Sequence, residues 1–305
     1  MSIQTVIESR QLTWIDVEAP THQELAAIGE RFGFHELTIN DCISYNQRPK
    51  LDEYPDHVFV ILHFPEYCED TQRIYTRQIS LFLSKRFLVS IHTESNASLE
   101  QLIGECHLRE NRSKLLDAGA VHLFYLIIDR CMDAAFPVLD AVSASLEKLE
   151  EEVFSKPSEQ TVQEIPVLRR NIINFRKIIG PERDLIASFE HSSYGIFPED
   201  LDIFFDDILD HIEKIWLTLQ HQLETVEGLS TTNDSLLTHR TNETIKFLTI
   251  FSALMLPLSV ITGLWGMNMV WLPLAGNPFG FWGMLGFMLI VSSLSLCFFK
   301  WKKWI

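Results

Sequence analysis

Polar side chains recur along one face of the helix predicted to enter the charge-free C-terminal part of this chain. The face contains Asn242, Ile245, Leu248, Ser252, Leu256, Ser259 and Gly263, at steps of three or four residues. Asn and Ser oxygens can interact with a hydrated cation, and rings of Leu side chains can gate a pore by dewetting. Small and polar residues are also common where membrane helices pack together, so helix packing is the alternative interpretation.

A second candidate for cation chemistry is the tripeptide Gly266-Met267-Asn268, at the end of that helix. Mg²⁺ prefers oxygen ligands and dehydrates reluctantly, so an amide oxygen on Asn268 suits an ion that keeps its water. A carboxylate there would hold the ion more tightly and slow its release. Gly266 would let the helix end turn sharply. Taken alone, Asn268 is also a typical helix C-cap.

These residues belong to a stretch of 53 residues, 247–299, without a single Asp, Glu, Lys or Arg. It contains two apolar runs of 21 residues, Phe247–Met267 and Phe279–Phe299. A bilayer core of about 30 Å needs about 20 helical residues. We therefore predict two membrane-spanning helices, with a buried hairpin of a soluble protein as the alternative.

The distribution of charge predicts how the spans are oriented. Basic residues precede the first span and follow the second, and the loop between them has no charge. The positive-inside rule then places both termini in the cytoplasm. The expected location of the protein is the plasma membrane, or the inner membrane of a Gram-negative cell. Five Trp residues near the span ends are typical of interfacial anchors.

The rest of the chain is strongly acidic. The net charge is −16, and four lysines against one glutamate in 241–305 give +3 there, which leaves −19 for residues 1–240. An acidic body does not suit nucleic acid, whose binding requires neutralised phosphates. It suits a protein that concentrates cations, although a merely solvated surface has the same composition. The five scattered cysteines indicate a reducing compartment.

Residues 1–116 alternate strand and helix signals, which predicts an α/β layer domain. Strands are expected at Leu12–Val17, Val58–Phe64, Ile79–Leu83 and Phe87–His92, and helices at Thr21–Phe32 and His35–Ile43. Thr21 and Glu24 form a capping-box pattern, and Gly33 is expected to end the first helix.

Residues 117–195 are predicted to form an acidic helical hairpin. One helix is expected over Ala120–Phe154, and a second over Glu159–Ile179, interrupted or ended by Gly180-Pro181. A stalk helix over 196–246 follows, with an apolar seam at Ile208, Ile212, Ile215, Leu219, Leu223 and Val226. The seam has coiled-coil spacing, so self-association around it is expected, with packing on the hairpin as the alternative. The remaining segments are the spans 247–267 and 279–299, the loop 268–278 and the basic tail 300–305.

Three motifs together resemble the CorA-type divalent cation transporters. They are Gly266-Met267-Asn268 after the first of two C-terminal spans, Thr241-Asn242-Glu243 before it, and Gln47–Tyr54 (QRPKLDEY) in the cytoplasmic part. The resemblance covers essentially the whole chain. It implies a funnel-shaped homopentamer whose long helices line one axial pore, with Gly266, Met267 and Asn268 as the selectivity filter. It implies no cofactor, and it implies divalent cations, the lipid bilayer and further copies of the chain as partners.

The loop between the spans departs from the magnesium branch of this family. That branch usually has Tyr before the tripeptide and an acidic loop after it, whereas this chain has Trp265 and no loop carboxylate. The Pro-Leu-Ala and Asn-Pro-Phe-Gly-Phe-Trp elements look more like the zinc-transporting ZntB branch. Uptake of Mg²⁺ and Co²⁺ is the first expectation, and proton-coupled Zn²⁺ transport is the alternative.

The same resemblance implies a regulatory cation site at the start of the long helix. The segment Phe204–His211 is similar to a region that binds Mg²⁺ between subunits in the magnesium branch, with Asp207 at the matching place. Acidic residues are also favoured at a helix N-terminus by the helix dipole, and His211 is a further candidate ligand. No nucleophile–base motif or phosphate-binding loop is found, so an enzyme is not expected. A membrane-tethered sensor or scaffold without flux remains a third possibility.

Overall fold

The computed structural model describes residues 3–9, 12–44, 47–108, 115–116, 118–155, 159–189, 202–267 and 279–304. The chain divides into two compact units, Met1–Ser230 and Thr231–Ile305. All five cysteines are free thiols.

The first unit is built on a mixed sheet with the strand order β1-β2-β6-β5-β4-β3. The strands are β1 (Ile3–Glu8), β2 (Thr13–Glu18), β3 (Lys50–Glu53), β4 (Val58–Cys68), β5 (Arg73–Leu83) and β6 (Phe87–His92). Strands β2 and β6 are parallel, and every other neighbouring pair is antiparallel. The predicted strands are confirmed, while β1 and β3 lacked a sequence signal that we recognised.

Strand β4 is the clearest case of a sequence pattern that fixes a strand. Its continuous apolar run predicts a strand covered on both faces, and Val58, Phe59, Val60, Ile61 and Leu62 are all fully buried. The strand extends beyond the predicted end at Phe64 to Cys68, because β5 pairs with it along its whole length, from Val58 opposite Leu83 to Cys68 opposite Arg73.

Two short helices cover one face of the sheet. They are α1 (His22–Phe32) and α2 (Glu36–Ile43), and α1 carries the predicted capping box between Thr21 and Glu24. Gly33 ends α1 in the left-handed region at φ 74°, a conformation that favours glycine. Side chains from both helices join the inner faces of the strands in one apolar core, with Phe34 stacked on Phe82 at 3.8 Å between ring centroids.

The remaining helices of this unit are α3 (Ala97–His107), α4 (Ala120–Asp133), α5 (Ala135–Ser155) and α6 (Glu159–Phe189). Helices α4, α5 and α6 contact strands β4, β5 or β6 and so pack on the sheet. The helix predicted over Ala120–Phe154 is in fact two helices that meet at Ala134. Pro137 explains the break, because its ring has no N–H and clashes with the carbonyl of the residue four positions earlier.

The predicted end of the next helix at Gly180-Pro181 is wrong. Helix α6 continues through both residues to Phe189. Gly180 packs against Trp216, since a Cβ on Gly180 would lie 3.0 Å from Trp216 Cζ3. Close packing of the helix on its neighbour, rather than a turn, accounts for this glycine.

Helix α7 (Asp202–Trp265) begins in the first unit and, as predicted, runs without a break into the first apolar run. Its seam is covered within the single chain, which favours the alternative interpretation, packing on the helical hairpin. Ile208, Ile212, Ile215, Leu219 and Val226 are fully buried within the single chain, and Leu223 is half-buried. Contacts to α5 and α6 explain this burial, because Gln222 Nε2 donates to Ser143 Oγ at 2.7 Å and the Arg176 guanidinium lies 4.6 Å from the Trp216 ring centre.

The second unit contains the end of α7 and the helix α8 (Gly280–Trp301). Both are long and apolar enough to cross a membrane. Together with the sheet domain and the long helix, they confirm the fold class predicted from the sequence, an α/β domain followed by a helical stalk and two apolar C-terminal helices.

Candidate cation path and cation site

The predicted polar face of α7 is open to the surroundings along its length. Asn242, Ile245, Leu248, Ser252, Leu256, Ser259 and Gly263 are all exposed in the single chain. Leu248 and Leu256 expose 61% and 65% of their surface, values that a soluble protein would bury. The oxygens of Asn242, Ser252 and Ser259 are therefore accessible to a partner helix or to an ion.

The opposite side of the same helix is partly covered. Half-buried residues recur at helical spacing, among them Lys246, Ile250, Pro257, Ile261 and Trp265. Helix α8 has the same asymmetry, with Met284, Met288, Val291 and Ser295 half-buried and Phe299 buried. Each membrane-length helix thus has one face covered within the chain and another left open for further contacts.

Gly266 and Met267 lie directly after the last helical residue, Trp265. The Gly266 N–H donates to the Thr262 carbonyl at 2.9 Å, and Met267 exposes half of its surface. Gly266 does not adopt the left-handed backbone that a sharp turn would need. A Cβ at Gly266 would instead lie 3.2 Å from the Thr262 carbonyl oxygen, so limited space favours glycine there. Asn268 and the loop 268–278 lie outside the described residues.

A carboxylate–imidazole cluster forms in the first unit, where α4 lies against the start of α7. Asp129, Asp133 and His211 each offer one ligand atom, and these atoms lie within 4.8 Å of one another. His211 Nδ1 is 3.5 Å from an oxygen of Asp133. The Phe136 ring packs nearly perpendicular to the imidazole, with 5.4 Å between the ring centroids. Two carboxylates and one imidazole form a donor set that a divalent cation accepts.

The carboxylates of the cluster influence one another electrostatically. Burial raises the pKa of the Asp129 carboxyl above its ordinary value, and the neighbouring negative charge of Asp133 raises it further. Asp207, one helical turn before His211, adds to the same shift, while His211 opposes it. A bound cation would relieve this repulsion between carboxylates.

The two acidic residues of this cluster on α4 were not recognised in the sequence. Asp129 and Asp133 are four residues apart and so lie on one face of a helix. That spacing was a usable signal. The apolar content of the surrounding segment and the many other acidic residues of the chain concealed it.

The QRPKLDEY segment has a structural role in the described residues. Lys50 to Glu53 form strand β3 at the edge of the sheet, paired antiparallel to β4. Lys50 Nζ donates to Asp41 of α2 at 2.9 Å and to Asp52 within its own strand. The charged side chain therefore ties the edge strand to a helix.

One buried polar group could be mistaken for a catalytic site. Asp16, Ser90 and His92 lie together on β2 and β6, each with at most 6% of its surface exposed. Ser90 accepts a hydrogen bond from Trp14 Nε1 at 3.0 Å and donates its own proton to Asp16. His92 Nε2 lies 3.2 Å from the other Asp16 oxygen. These bonds satisfy one another inside the core and leave no activated nucleophile facing solvent.

Two charge-free apolar runs long enough to cross a membrane, together with a carboxylate–imidazole cluster in an acidic body, are features expected of a membrane protein that transports cations. Comparison with known proteins identifies the class more closely. Residues 9–302 match the family described as CorA-like Mg²⁺ transporter protein. The chain belongs to this family. It is accordingly a transporter of divalent cations and not an enzyme.

Individual relatives extend over nearly the whole chain. The cobalt/magnesium transport protein CorA of Thermotoga maritima is 30% identical over 299 residues, which cover 98% of this chain and 85% of that protein. The complete CorA magnesium transporter of Methanocaldococcus jannaschii superposes with a TM-score of 0.83 at 22% identity, over 98% of this chain and 93% of that one. The ZntB cytoplasmic domain of Vibrio parahaemolyticus gives 0.59 at 15% identity, over 79% and 98%. The last two similarities concern the fold.

Proposed function

We propose that this chain carries Mg²⁺, and with it Co²⁺, across the plasma membrane through the axial pore of a homopentamer. The observation that carries the proposal is the exposed face of α7 from Asn242 to Gly263, which combines oxygen-bearing and aliphatic side chains. Two helices cannot enclose an aqueous path, so several copies must surround it about a closed symmetry axis. Similarity to the cobalt/magnesium transport protein CorA of Thermotoga maritima supports the choice of cations.

In this proposal the aliphatic and polar positions have different roles. Leu248 and Leu256 would form two hydrophobic constrictions, and water leaves such constrictions when they are narrow. Asn242, Ser252 and Ser259 would contact the hydrated cation between them. Gly266, Met267 and Asn268 would form the filter, with Asn268 amide oxygens hydrogen-bonded to the water shell of Mg²⁺.

The carboxylate–imidazole cluster would sense the cytoplasmic cation concentration. Asp129, Asp133 and His211, with Asp207 beside them, would bind a divalent cation when its concentration is high. Loss of the ion would leave the carboxylates to repel one another and so favour a looser arrangement of α4 and α7. This assigns Asp207 an electrostatic role next to the ligands.

The orientation follows from the basic residues. Arg240 and Lys246 precede the first span, and Lys300, Lys302 and Lys303 follow the second. Both termini would therefore lie in the cytoplasm, as the positive-inside rule requires. The acidic first unit would then lie on the cytoplasmic side of the membrane, where its charge attracts cations.

Flux into liposomes tests the filter. The purified protein should accumulate Mg²⁺ down an imposed membrane potential, and Asn268→Ala should lower the flux. Asn277→Ala, in the same loop, is the matched control and should transport like the parent protein. Equal flux with and without the Asn268 amide would remove this residue from the filter.

Proton-coupled Zn²⁺ transport is the second candidate, favoured by the loop 268–278, which contains no carboxylate. A competition assay with Mg²⁺, Co²⁺, Ni²⁺ and Zn²⁺ distinguishes the two. Conduction of Mg²⁺ down the membrane potential should not respond to an imposed pH gradient. Zn²⁺ uptake that rises with such a gradient would favour the second candidate.

A further inference from the structure

A groove in the first unit has no role in the proposed cation path. It has a volume of about 540 Å³ and lies between the β4–β5 turn and the helices α5 and α6. Pockets of about 300–1,000 Å³ are the usual size for small-molecule sites. The groove is therefore large enough for a compact organic ligand.

The charge of the groove is opposite to that of the chain. Its lining includes the basic residues Arg73, Lys148 and Arg170 and the single acidic residue Glu164, although the chain as a whole has a net charge of −16. Among the described residues neither Arg73 nor Arg170 forms an ion pair. Unpaired guanidinium groups bind phosphate oxygens through two parallel hydrogen bonds.

A buried amide supplies a second, independent feature. Asn171 is only 5% exposed and lines the groove. Its Nδ2 donates to the Gln72 carbonyl at 2.8 Å, whereas its Oδ1 is buried without a hydrogen-bond partner. Because Oδ1 has almost no accessible surface, a ligand in the groove does not reach it, and the feature that Asn171 supplies is the bond that holds the β4–β5 turn against α6.

The turn that carries Arg73 is held firmly. Gln72 adopts φ +53°, which is uncommon for a residue with a side chain. Its side chain accepts from the Tyr67 hydroxyl at 2.7 Å and donates to the Glu69 carbonyl at 2.9 Å. The bond from Asn171 completes this set. Arg73 is thus presented from a fixed edge, which lowers the entropy cost of binding.

The floor of the groove is apolar. Val142 and Leu149 of α5 and Leu168 of α6 lie at its base with little exposed surface, and Val167 of α6, which is 37% exposed, supplies the accessible apolar surface. Such a surface fits a ring or another flat nonpolar group better than it fits a bare inorganic anion. The groove therefore combines an apolar surface with two guanidinium groups that form no ion pair within the described part of the chain.

We propose that this groove binds a small organic phosphate of about the size of a nucleotide. The phosphate would lie on Arg73 and Arg170, and the nonpolar part would lie against Val167 and the apolar floor beside it. The proposal does not depend on which cation the protein transports, or on whether transport occurs.

Isothermal titration calorimetry on the detergent-solubilised full chain tests the proposal. Adenosine diphosphate is the probe, and EDTA in the buffer removes divalent cations so that metal chelation does not contribute heat. The parent protein should bind the probe, and added salt should weaken the binding. The double variant Arg73→Gln/Arg170→Gln should bind at least about tenfold more weakly, since each lost bond to a charged group contributes about that much.

Arg169→Gln is the matched control, because Arg169 neighbours Arg170 but pairs with Glu227 at 2.8 Å away from the groove. It should bind the probe like the parent protein. All the substituted arginines are exposed, so the unliganded variants should unfold at the same temperature as the parent. Adenosine and inorganic phosphate, titrated separately, should each bind more weakly than the diphosphate.

Three results would overturn the proposal. The first is the absence of a binding signal with adenosine diphosphate. The second is unchanged affinity in the double variant. The third is inorganic phosphate binding as tightly as the diphosphate, since the apolar surface would then have no part.

Discussion

Glu182 Oε1 accepts a hydrogen bond from the backbone N–H of His63 at 2.5 Å and so joins helix α6 to strand β4. Glu182 is fully buried, and its other oxygen has no hydrogen-bond partner. Burial raises the pKa of this carboxyl well above its ordinary value, and the bond from His63 only partly opposes the shift. The carboxyl is therefore protonated where an exposed glutamate would be charged.

This relationship predicts a pH-dependent stability. Because the folded-state pKa is raised, the contribution of Glu182 is fully present below the unfolded-state value of about 4.5 and is lost as the pH rises toward the folded-state value. Glu182→Gln cannot ionise, so its melting temperature relative to the parent should increase between pH 5 and pH 8. Thermal unfolding of the detergent-solubilised protein at several pH values measures the difference.

The control for this prediction is the histidine response. Burial lowers the pKa of His57 and of His63. Their contribution to the stability of the protein is therefore lost as the pH falls below about 6.5, whereas that of Glu182 is lost as the pH rises. Both proteins retain these histidines, and their effect cancels in the difference. A constant gap between Glu182→Gln and the parent across the pH range would contradict the assignment.

The buried seam of α7 predicts a sharp contrast between neighbouring positions. Ile215 is fully buried, whereas Leu217, two residues later on the same helix, exposes 52% of its surface. Ile215→Ala should cost about 2–5 kcal/mol of unfolding free energy, since it leaves a cavity between α7 and its neighbours. Leu217→Ala should change it by less than about 0.5 kcal/mol.

Urea unfolding of both variants measures this contrast. Similar losses at the two positions would mean that Leu217 is covered by another copy of the chain in the assembled protein. That outcome would also support self-association through this part of α7, as the spacing of the seam suggested.

The carboxylate–imidazole cluster predicts a stability that depends on metal. Mg²⁺ should raise the melting temperature of the parent protein, and at a hundredfold excess over the dissociation constant one site stabilises by about 2.7 kcal/mol. Asp133→Asn removes a ligand and should abolish most of this increase.

Asp140→Asn is the matched control for the cluster. Asp140 is exposed on α5 and lies outside the group of ligands, so its variant should retain the full response to Mg²⁺. EDTA should return the parent and Asp140→Asn to their metal-free melting temperatures. An unchanged response in Asp133→Asn would place the stabilising cation elsewhere.

The elements that the sequence predicted well have strong local signals. The capping box at Thr21 and Glu24, the apolar run at Val58–Leu62 and the absence of charge after Phe247 each depend on residues close together in the chain. The failures have tertiary causes. Gly180 reads as a helix end, but it is the contact point for Trp216, which is 36 residues away. Asp129 and His211 are 82 residues apart, and only the packing of α4 on α7 brings them together.

The seam on α7 shows why a repeat does not reveal its partner. Spacings of three and four residues fit a coiled coil between copies as well as packing on the same chain. Ile208 to Val226 are covered by helices that precede them in sequence. From Asn242 onward the predicted face is exposed in the single chain. A helix that packs on this face would therefore come from another copy of the chain.

The open face of α7 predicts the position of a hydrophobic gate. Leu256 exposes 65% of its surface on the face that also contains Ser252 and Ser259, and five such side chains around an axis would exclude water. Leu256→Ser should keep the constriction hydrated and raise Mg²⁺ flux under conditions that close the parent protein. A barrier lowered by about 1.4 kcal/mol gives about a tenfold rise.

Leu289→Ser on α8, a residue that is 63% exposed, is the control, because α8 is not proposed to line the pore and flux should stay near the parent value. A tenfold rise in Leu289→Ser together with no change in Leu256→Ser would assign the pore to α8 instead.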